Sequence, residues 1–557
     1  MVLNLLIGLL LLTVAVIIIY FLRAYKKHPA VPVTDLTDYQ PVQKSDRLLQ
    51  LGNNWCHHNS RGLYELYIEG SPYERGIING RLTEKLIYTQ ENLFIEEIKR
   101  RIPNNFYLQF LKIVSLWMNR KLKGNISNEY DLEIYGVSLS ASPKFRMIGP
   151  GYLRILNYHA AHDIAHALVN INLVGCTAFV ASGKQSADGK IIHARNFDFY
   201  AGDEFCKEKI ISFYAPDHGN KFAMITWGGL VGTVSGMNMQ GLAITVNAAK
   251  SKMPRSITTP VTILVREMLQ YAGTIEEAVA IARKRTISVS ESFLVSSGRD
   301  NKALIIEKTP YQTEIFDPDN SQIISTNHFQ SEALKNDPMN MRQINDTASM
   351  YRYQRTRELV EQSGQITVEK AVEILRNRLG LENKPIGNGN EYTLNQLLAH
   401  HGIIFKPCEL KMWVSAGPFN LGEFLCYDLN EVFGKPARIA DNCNIITENQ
   451  VIPGDPMLTN GEYKGFERFK QIRKELLSSN EKQVTEKALI EEMISLNQEY
   501  FLSYSTAGDY LRRRKDYANA ASHYRIALQK EIPNKKEKEE IRKHLDFCVK
   551  KTGPTNG

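Results

Sequence analysis

The chain has 557 residues, of which 43% are hydrophobic and 23% are charged. These are the proportions of an ordinary globular protein, so they argue against a disordered chain, a collagen and a multi-span membrane protein. The formal net charge of +8 is too dilute over this length to indicate a nucleic-acid partner. Seven scattered cysteines without a CxxC pair also argue against a disulfide-rich scaffold and a cysteine-type zinc site.

The N-terminal segment predicts a membrane anchor. Residues 2–22 carry no charge and are long enough for the apolar core of a bilayer, which about 20 residues span. We therefore expect a single transmembrane helix over 1–22, followed by an extended tether over 23–59. Three basic residues directly follow the apolar run, and the positive-inside tendency would place the body of the protein in the cytoplasm.

Helical patterns and then short strands follow the tether. Residues 73–98 and 106–120 have apolar residues at three- and four-residue spacing, which predicts a helical segment over 60–175. Between 176 and 445, β-rich runs alternate with turn signals and a few helical stretches. This order of elements predicts an α+β domain of layered sheets with helices outside.

Residues 446–557 are predicted to form a helical extension. The segment 507–529 has the spacing of small and aromatic residues that is typical of one tetratricopeptide (TPR-like) unit. A single unit of this kind cannot bury both of its faces. It is therefore either a hairpin packed on the main body or a docking surface for a protein partner.

One cysteine stands in a pattern that points to chemistry. Cys176 follows a glycine at the start of a predicted strand, and Arg195 and Asp198 come after an Ala-Asp-Gly turn. A hairpin through that turn would bring a guanidinium and a carboxylate beside the thiol, and the guanidinium would favour the thiolate. Most cysteines on apolar strands are core residues, so spacing alone leaves both interpretations open.

Gly-Cys-Thr at 175–177, followed by His-Ala-Arg-Asn-Phe-Asp-Phe at 193–199, resembles the cysteine N-terminal nucleophile (Ntn) hydrolases. The strongest resemblance is to the isopenicillin N acyltransferase-like family (acyl-coenzyme A:6-aminopenicillanic acid acyltransferase). The choloylglycine hydrolases, penicillin V acylases and acid ceramidases are similar more distantly. Further similar blocks occur in order at 70–82, 236–248, 324–329, 349–355 and 409–418. Over about 60–430, the resemblance implies a four-layer αββα sandwich.

The resemblance also implies self-processing. Such chains are made as inactive precursors and cut themselves before the nucleophile, which here is the Gly175–Cys176 bond. A thiol can attack the peptide bond that precedes it, and water can hydrolyse the resulting thioester. The freed α-amine has an unperturbed pKa of about 7.7–8.0, so it can act as a base at neutral pH. One residue would then supply both the nucleophile and the base.

Three catalytic roles follow from the resemblance around the cleavage site. Cys176 corresponds to the nucleophile, and Arg195 and Asp198 correspond to the pair that orients the cysteine and its amine. Asn247 corresponds to the asparagine of the oxyanion hole. A preorganised donor of that kind is worth about 3 kcal/mol in the transition state.

Two further site residues come from later blocks. Asn327 corresponds to an asparagine that polarises the substrate carbonyl or positions the amine. Arg352 corresponds to the later arginine of the site, and Arg355 is the alternative if the register is shifted by three residues.

The implied activity is hydrolysis of a linear amide, or transfer of its acyl group, through an acyl-thioester on Cys176. We expect an N-acyl amine or N-acyl amino acid as substrate, lipid-like if the membrane anchor is real, and acyl-coenzyme A is a candidate donor. The chemistry needs no metal and no organic cofactor. Two alternatives remain open: a lipid amidase similar to acid ceramidase, and a catalytically inactive scaffold whose C-terminal helices bind a partner.

Two further expectations concern the side of the membrane on which the catalytic domain lies and a group of three histidines. Several relatives are exported or lumenal, which favours an extracytoplasmic catalytic domain and conflicts with the positive-inside tendency, so the orientation stays open. His159, His162 and His166 share one helical face and have a spacing that could bind zinc. Because the expected chemistry needs no metal, we interpret them as packing residues near the cleavage site.

Overall fold

The structure is a computed structural model that describes residues 28–101, 117–161, 175–199, 202–250, 256–318, 320–434, 444–478 and 486–552, with residues 8, 12, 104 and 163. The predicted anchor over 1–22 lies outside these residues except for Gly8 and Leu12. In the described part of the chain, every helix is too short or too polar to traverse a bilayer. The membrane anchor therefore stays a prediction.

The strands form one large sheet and one smaller sheet. Their bounds are β1 (Val42–Ser45), β2 (Leu48–Leu51), β3 (Asn54–His58), β4 (Tyr64–Gly70), β5 (Thr177–Ala181), β6 (Ile192–Asp198), β7 (Ile210–Pro216), β8 (Phe222–Thr226), β9 (Ser235–Asn238), β10 (Leu242–Ala248), β11 (Glu291–Ser297), β12 (Lys302–Lys308), β13 (Thr313–Phe316), β14 (Gln322–Ser325), β15 (Ala399–Lys406), β16 (Lys411–Ser415) and β17 (Phe424–Asp428). The large sheet has the order β1-β2-β3-β4-β7-β8-β9-β10-β11-β12-β13, and the small sheet has the order β14-β5-β6-β15-β16-β17. Neighbouring strands are antiparallel except for the β4–β7 pair, which is parallel.

Helices lie in the connections between strands and at the C-terminal end of the described chain. Their bounds are α1 (Pro72–Leu82), α2 (Glu84–Arg101), α3 (Leu122–Asn125), α4 (Asn128–Ser138), α5 (Gly151–His159), α6 (Val261–Tyr271), α7 (Ile275–Lys284), α8 (Pro338–Asp346), α9 (Ser349–Gln362), α10 (Val368–Leu375), α11 (Leu429–Gly434), α12 (Glu462–Ser478), α13 (Glu486–Leu496), α14 (Phe501–Arg513), α15 (Tyr517–Gln529) and α16 (Lys535–Thr552). The predicted mixed α/β architecture with a helical C-terminus is confirmed.

The two sheets pack face to face, with helices on both outer faces. Side chains alternate between the two faces of a strand, and small or branched residues such as Val180, Leu294 and Ile305 fill the space between the sheets. On the outer face of the large sheet, α6 and α7 pack against β10, β11 and β12. On the outer face of the small sheet, α9 and α10 share a core with β5 and β6. The layer order is helix, sheet, sheet, helix.

The structure corrects the expectation for the residues before Cys176. Residues 42–58 were assigned to the tether, but they form β1, β2 and β3 of the large sheet. The segment 60–175 was expected to be mostly helical, and it also contributes β4, which pairs with β7 from beyond the cysteine. We call residues 28–175 the pre-cysteine segment. It is built into the main sheet and is not an appendage.

The predicted helix over 73–98 is interrupted. It consists of α1 and α2, which are separated at Thr83, where both the hydroxyl and the backbone N–H donate to the Asn79 carbonyl. A threonine hydroxyl that bonds in this way competes with the helical hydrogen-bond ladder. Most of the predicted helix over 106–120 lies outside the described residues.

The C-terminal extension, residues 446–557, packs on the main body. The predicted hairpin is present as α14 and α15, and α16 follows it. These helices share one apolar core with Leu397, Phe419 and Leu421 of the body. This contact supports the interpretation of the hairpin as a packed element.

Candidate active site

Strand alternation places the predicted site between the two sheets. On β6, Ala194 faces the outer helices, whereas His193 and Arg195 point towards the large sheet. The His193 ring is hydrogen bonded to Ser296 and Thr245 of the facing sheet, with both distances 2.9 Å. Since Arg195 shares this inward face, its guanidinium lies in the space between the sheets.

Arg195 connects the thiol of Cys176 to the large sheet. Its Nη2 donates to Cys176 Sγ at 3.6 Å and to the carbonyl of Val246, the residue before Asn247. Its Nη1 donates to the Val234 carbonyl at 2.9 Å and to Ser235 Oγ at 2.5 Å. A guanidinium held by this many acceptors cannot swing away, so a cation stays beside the sulfur.

Asp198 lies at the other side of the cleavage site. Its backbone carbonyl accepts from the Gly175 N–H at 3.1 Å and lies 4.0 Å from Cys176 Sγ. Its carboxylate Oδ2 accepts from Nε2 of Gln396 at 3.1 Å, and that same Nε2 donates to the Gly175 carbonyl at 2.7 Å. The carbonyl of the Gly175–Cys176 peptide bond is therefore held by Gln396, whereas Asp198 holds the N–H of Gly175.

Arg352 joins the cysteine to Asn327. Its Nη1 donates to the Cys176 carbonyl at 2.6 Å and to Thr177 Oγ1 at 2.8 Å. Its Nη2 donates to Asn327 Oδ1 at 2.8 Å, and Asn327 Nδ2 donates in turn to the Ala248 carbonyl at 2.8 Å. The arginine thus fixes the start of β5 and the orientation of the asparagine amide.

The alternative arginine lies elsewhere. Arg355 forms an ion pair with Glu358 and donates to the side chains of Asn377 and Asn383. Between the two candidate registers, the structure places Arg352 in the cluster and Arg355 outside it.

Asn247 lies at the end of β10, beside Asn327's partner Ala248. Its Nδ2 donates to the Ser325 carbonyl at 2.8 Å and to Ser325 Oγ at 3.2 Å. The side chain is fully buried. In the uncleaved chain, both hydrogen bonds of the Asn247 amide nitrogen therefore go to Ser325.

Burial and charge act in opposite directions on the ionisable groups. Burial raises the pKa of the Cys176 thiol, and the nearby Arg195 opposes this rise. Burial raises the pKa of Asp198 to about 7, against the opposing effects of Arg352 and Arg195. Burial also lowers the pKa of both arginines. In the uncleaved chain the thiol is therefore protonated at neutral pH, whereas Asp198 titrates near neutrality.

An apolar cavity adjoins this cluster. It encloses about 80 Å³ and is partly open to solvent, so it is smaller than the roughly 300–1,000 Å³ common for ligand sites. Phe197 lies in its wall, and its ring centroid is 4.4 Å from the Arg195 guanidinium carbon. The pre-cysteine segment and the residues after Cys176 both contribute to the wall, through Ile87, Phe94, Ile155, Phe199, Trp227 and Val234.

Two residues that contact the cluster were not predicted from the sequence. Ser235 holds the Arg195 guanidinium and is itself paired with the His401 ring at 2.9 Å. Gln396 reaches the Gly175 carbonyl from a loop more than two hundred residues later in the chain. No local motif marks either residue, because the contacts depend on how distant segments pack.

The sequence predicts that the three histidines are packing residues, and His159 is the one that the structure describes. Both ring nitrogens of His159 are used, Nδ1 by the Ile155 carbonyl and Nε2 by the Val231 N–H. His162 and His166 lie outside the described residues. Within the described ranges, no three His, Cys, Asp or Glu side chains are grouped so that they could hold a metal ion.

Residues 185–420 match the sequence model of the family described as acyl-coenzyme A:6-aminopenicillanic acid acyl-transferase. The resemblance to acyltransferase-like Ntn hydrolases is confirmed for this part of the chain. The matched range contains Arg195, Asp198, Asn247 and the later site residues, and it begins after Cys176.

Individual proteins are similar to comparable shares of this chain. An uncharacterized protein of Archaeoglobus fulgidus is 24% identical over 254 residues, which are 43% of this chain and 42% of that protein. This chain therefore spans less than half of the relative's length. A Caenorhabditis elegans ortholog of N-acylethanolamine-hydrolyzing acid amidase is 16% identical with a TM-score of 0.31, covering 42% of this chain and 93% of that one. A mutant conjugated bile acid hydrolase from Clostridium perfringens is 14% identical with a TM-score of 0.32, covering 46% and 93%.

Proposed function

We propose that this protein is a self-processing amide hydrolase or acyltransferase that acts on linear C–N bonds of N-acyl amines or N-acyl amino acids. The observation that carries the proposal is the position of Cys176, whose thiol faces Arg195. The carbonyl of the preceding peptide bond accepts from Gln396, and the Gly175 N–H donates to Asp198. The family match over 185–420 supports amide hydrolase or acyltransferase chemistry.

Self-cleavage at Gly175–Cys176 would convert the site into its working form. The cleavage exposes the α-amine of Cys176, which can take the thiol proton as a general base. In the described residues, the second carboxylate oxygen of Asp198 has no hydrogen-bond partner. That oxygen is the group that would accept a hydrogen bond from the new amine.

The substrate reaction would then pass through an acyl-thioester. The thiolate attacks the amide carbonyl, the amine leaves with the proton, and water or an acceptor amine releases the acyl group. Asn247 would stabilise the oxyanion, which is worth roughly 3 kcal/mol for a donor of this type. Arg352 would keep Asn327 oriented by its hydrogen bond to Oδ1.

The cavity supports an apolar acyl group as the part of the substrate that is recognised. Its wall is dominated by aromatic and aliphatic side chains, and it meets the cluster at Phe197 and Val234. This observation favours the alternative of a lipid amidase similar to acid ceramidase over a site for small polar amides. Acyl-coenzyme A remains a candidate acyl donor if transfer dominates.

The proposal is tested by intact mass and N-terminal sequencing of the wild type beside Cys176→Ala. We expect fragments 1–175 and 176–557 in the wild type, the second beginning Cys-Thr-Ala-Phe, and an uncut mutant without amidase activity. Long-chain N-acyl amides should be turned over faster than short-chain ones, because they fill the apolar cavity.

Cys408→Ala is the matched control, since Cys408 is a half-buried free cysteine outside the cluster. It should cleave and turn over substrate as the wild type does. An uncut and inactive wild type would contradict the proposal and favour the scaffold alternative. Faster turnover of short-chain amides would contradict the lipid-like substrate.

A further inference from the structure

One polar side chain contacts the bond that self-cleavage would break, and no role has yet been assigned to it. Gln396 lies in the connection between α10 and β15 and is 4% exposed. Its Nε2 donates to the Gly175 carbonyl oxygen at 2.7 Å and to Asp198 Oδ2 at 3.1 Å. A buried amide N–H directed at a specific peptide carbonyl polarises that carbonyl.

We propose that Gln396 is the oxyanion donor for cleavage of the Gly175–Cys176 bond. The inference rests on the proposed self-processing function. Attack of Cys176 Sγ on the Gly175 carbonyl carbon places negative charge on the oxygen that Gln396 already contacts. The S–C bond forms, the C–N bond breaks, and the thiol proton ends on the new α-amine. Water then hydrolyses the thioester to the Gly175 carboxylate and the free thiol.

The glycine before the cysteine supports this assignment. A Cβ at position 175 would lie 2.7 Å from Gln396 Nε2 and 2.8 Å from its Oε1. Contacts below 3.0 Å force a displacement, so any larger residue would push the amide away from the carbonyl. The Gly-Cys sequence is therefore matched to the position of Gln396 and not only to the thiol.

The backbone next to Gln396 is in a costly conformation. Leu397 has a φ of 53°, in the left-handed region that non-glycine residues rarely adopt. Such residues persist where the surrounding structure enforces them, and they are concentrated at functional sites. Leu397 is 3% exposed and packs in the apolar core of the C-terminal extension.

The C-terminal extension also holds the preceding part of this loop. Asn388 and Asn497 exchange two hydrogen bonds, of 3.0 Å and 2.9 Å. The Tyr500 hydroxyl donates to the Gly389 carbonyl at 2.8 Å. Because the family match ends at 420, the extension lies beyond it. The placement of Gln396 thus depends on a part of the chain that the family match does not include.

The test is the rate of self-cleavage of the full chain, synthesised in a cell-free reaction and sampled over time by intact mass. Gln396→Leu removes the donor at nearly constant volume and should slow cleavage on the order of 100-fold. Hydroxylamine, which traps the thioester as a Gly175 hydroxamate, should yield correspondingly less hydroxamate from this variant. Gln185→Leu is the matched control, because Gln185 donates to the carbonyls of Val360 and Gly364 far from the thiol.

Gly175→Ala provides a second variant in case Gln396→Leu does not fold. It leaves the glutamine in place but displaces its amide, and it should also slow cleavage at least tenfold. If both variants cleave at the wild-type rate, the assignment of Gln396 is wrong while the proposed function stands. If the wild type itself never cleaves, the proposed function and this inference both fail.

Discussion

The pre-cysteine segment and the C-terminal extension both lie outside the matched family range, but they are attached to the body in different ways. The pre-cysteine segment adds four strands to the large sheet, and β4 pairs in parallel with β7 along its whole length. The extension adds no strand in its described residues and packs through an apolar core that it shares with Leu397, Phe419 and Leu421 of the body.

The two regions also differ in how the ion pairs described below are buried. In the pre-cysteine segment, Glu133 is fully buried and forms ion pairs with Arg75 and with Arg266 of α6. Burial would raise the pKa of Glu133, but Arg266 and Arg75 outweigh it and hold the pKa below its usual value. In the extension, Arg468 and Glu492 pair at the surface. The pre-cysteine segment is thus joined to the core by strand pairing and buried ion pairs, whereas the extension packs on the body through apolar contacts and hydrogen bonds to loops.

Glu133→Gln should give the largest effect. Removing one charge of a buried network leaves the other charges uncompensated, which costs about 3–5 kcal/mol in the free energy of unfolding. Urea denaturation followed by tryptophan fluorescence measures this loss. Because the folded pKa of Glu133 is lowered, its stabilising contribution should be lost as the pH falls through that pKa.

Glu492→Gln is the matched control in the extension. Exposed ion pairs contribute little, so the urea midpoint should not change measurably. Equal losses for the two variants would contradict the division between a fused segment and a surface-packed extension.

Asn497→Ala sharpens the comparison from the side of the extension. The change removes both hydrogen bonds to Asn388 and loosens the loop that carries Gln396. If the loss of these hydrogen bonds weakens the positioning of Gln396 by about 1 kcal/mol, self-cleavage should slow about fivefold. Asn519→Ala is the control, since Asn519 bonds to Asp516 within the extension. Unchanged cleavage in Asn497→Ala would show that the extension does not position the loop.

Asp198→Asn should give the smallest effect, on stability, when it is made in the Cys176→Ala background that keeps the chain uncut. Burial raises the pKa of Asp198 to about 7, so the folded protein holds this proton more tightly than the unfolded chain does. The contribution of the carboxyl to stability is then full at acid pH and is lost as the pH rises through about 7. The neutral amide avoids this loss, so it should raise Tm by about 1–2 °C at pH 8 and by less at pH 5.

Thermal unfolding at both pH values measures the Asp198→Asn effect. Asp38→Asn, at an exposed carboxyl, should show no such pH difference. A variant that is less stable at pH 8 than its parent would mean that the ionised Asp198 is stabilised by the contacts around it.

β-rich runs between turn signals predicted the central strands well and the edge strands poorly. Runs such as 241–248 and 292–297 are buried on both faces, and they match β10 and β11 closely. By contrast, β1 is exposed along most of its length and has no apolar pattern to detect. Strand β15 was not predicted from the sequence. It lies inside the small sheet, but it contains the buried pair His400 and His401, whose polar side chains interrupt the apolar pattern.

The sequence by itself determined the local part of the site. A Gly-Cys step at the start of a strand, and an Arg and an Asp on the next strand of a hairpin, meet because neighbouring antiparallel strands bring nearby residues together. The resemblance added Asn247, Asn327 and Arg352. The structure joins Arg352 to both Cys176 and Asn327, and Asn247 directly follows Val246, whose carbonyl accepts from Arg195.

Tertiary structure alone decided the rest. The cavity wall is assembled from segments on both sides of Cys176, and Gln396 reaches Gly175 through a loop that the C-terminal extension fixes. Such contacts depend on the packing of whole layers, which no short sequence pattern encodes. A local pattern can identify the bond to be cut, but only the folded chain shows which distant donor faces its oxygen.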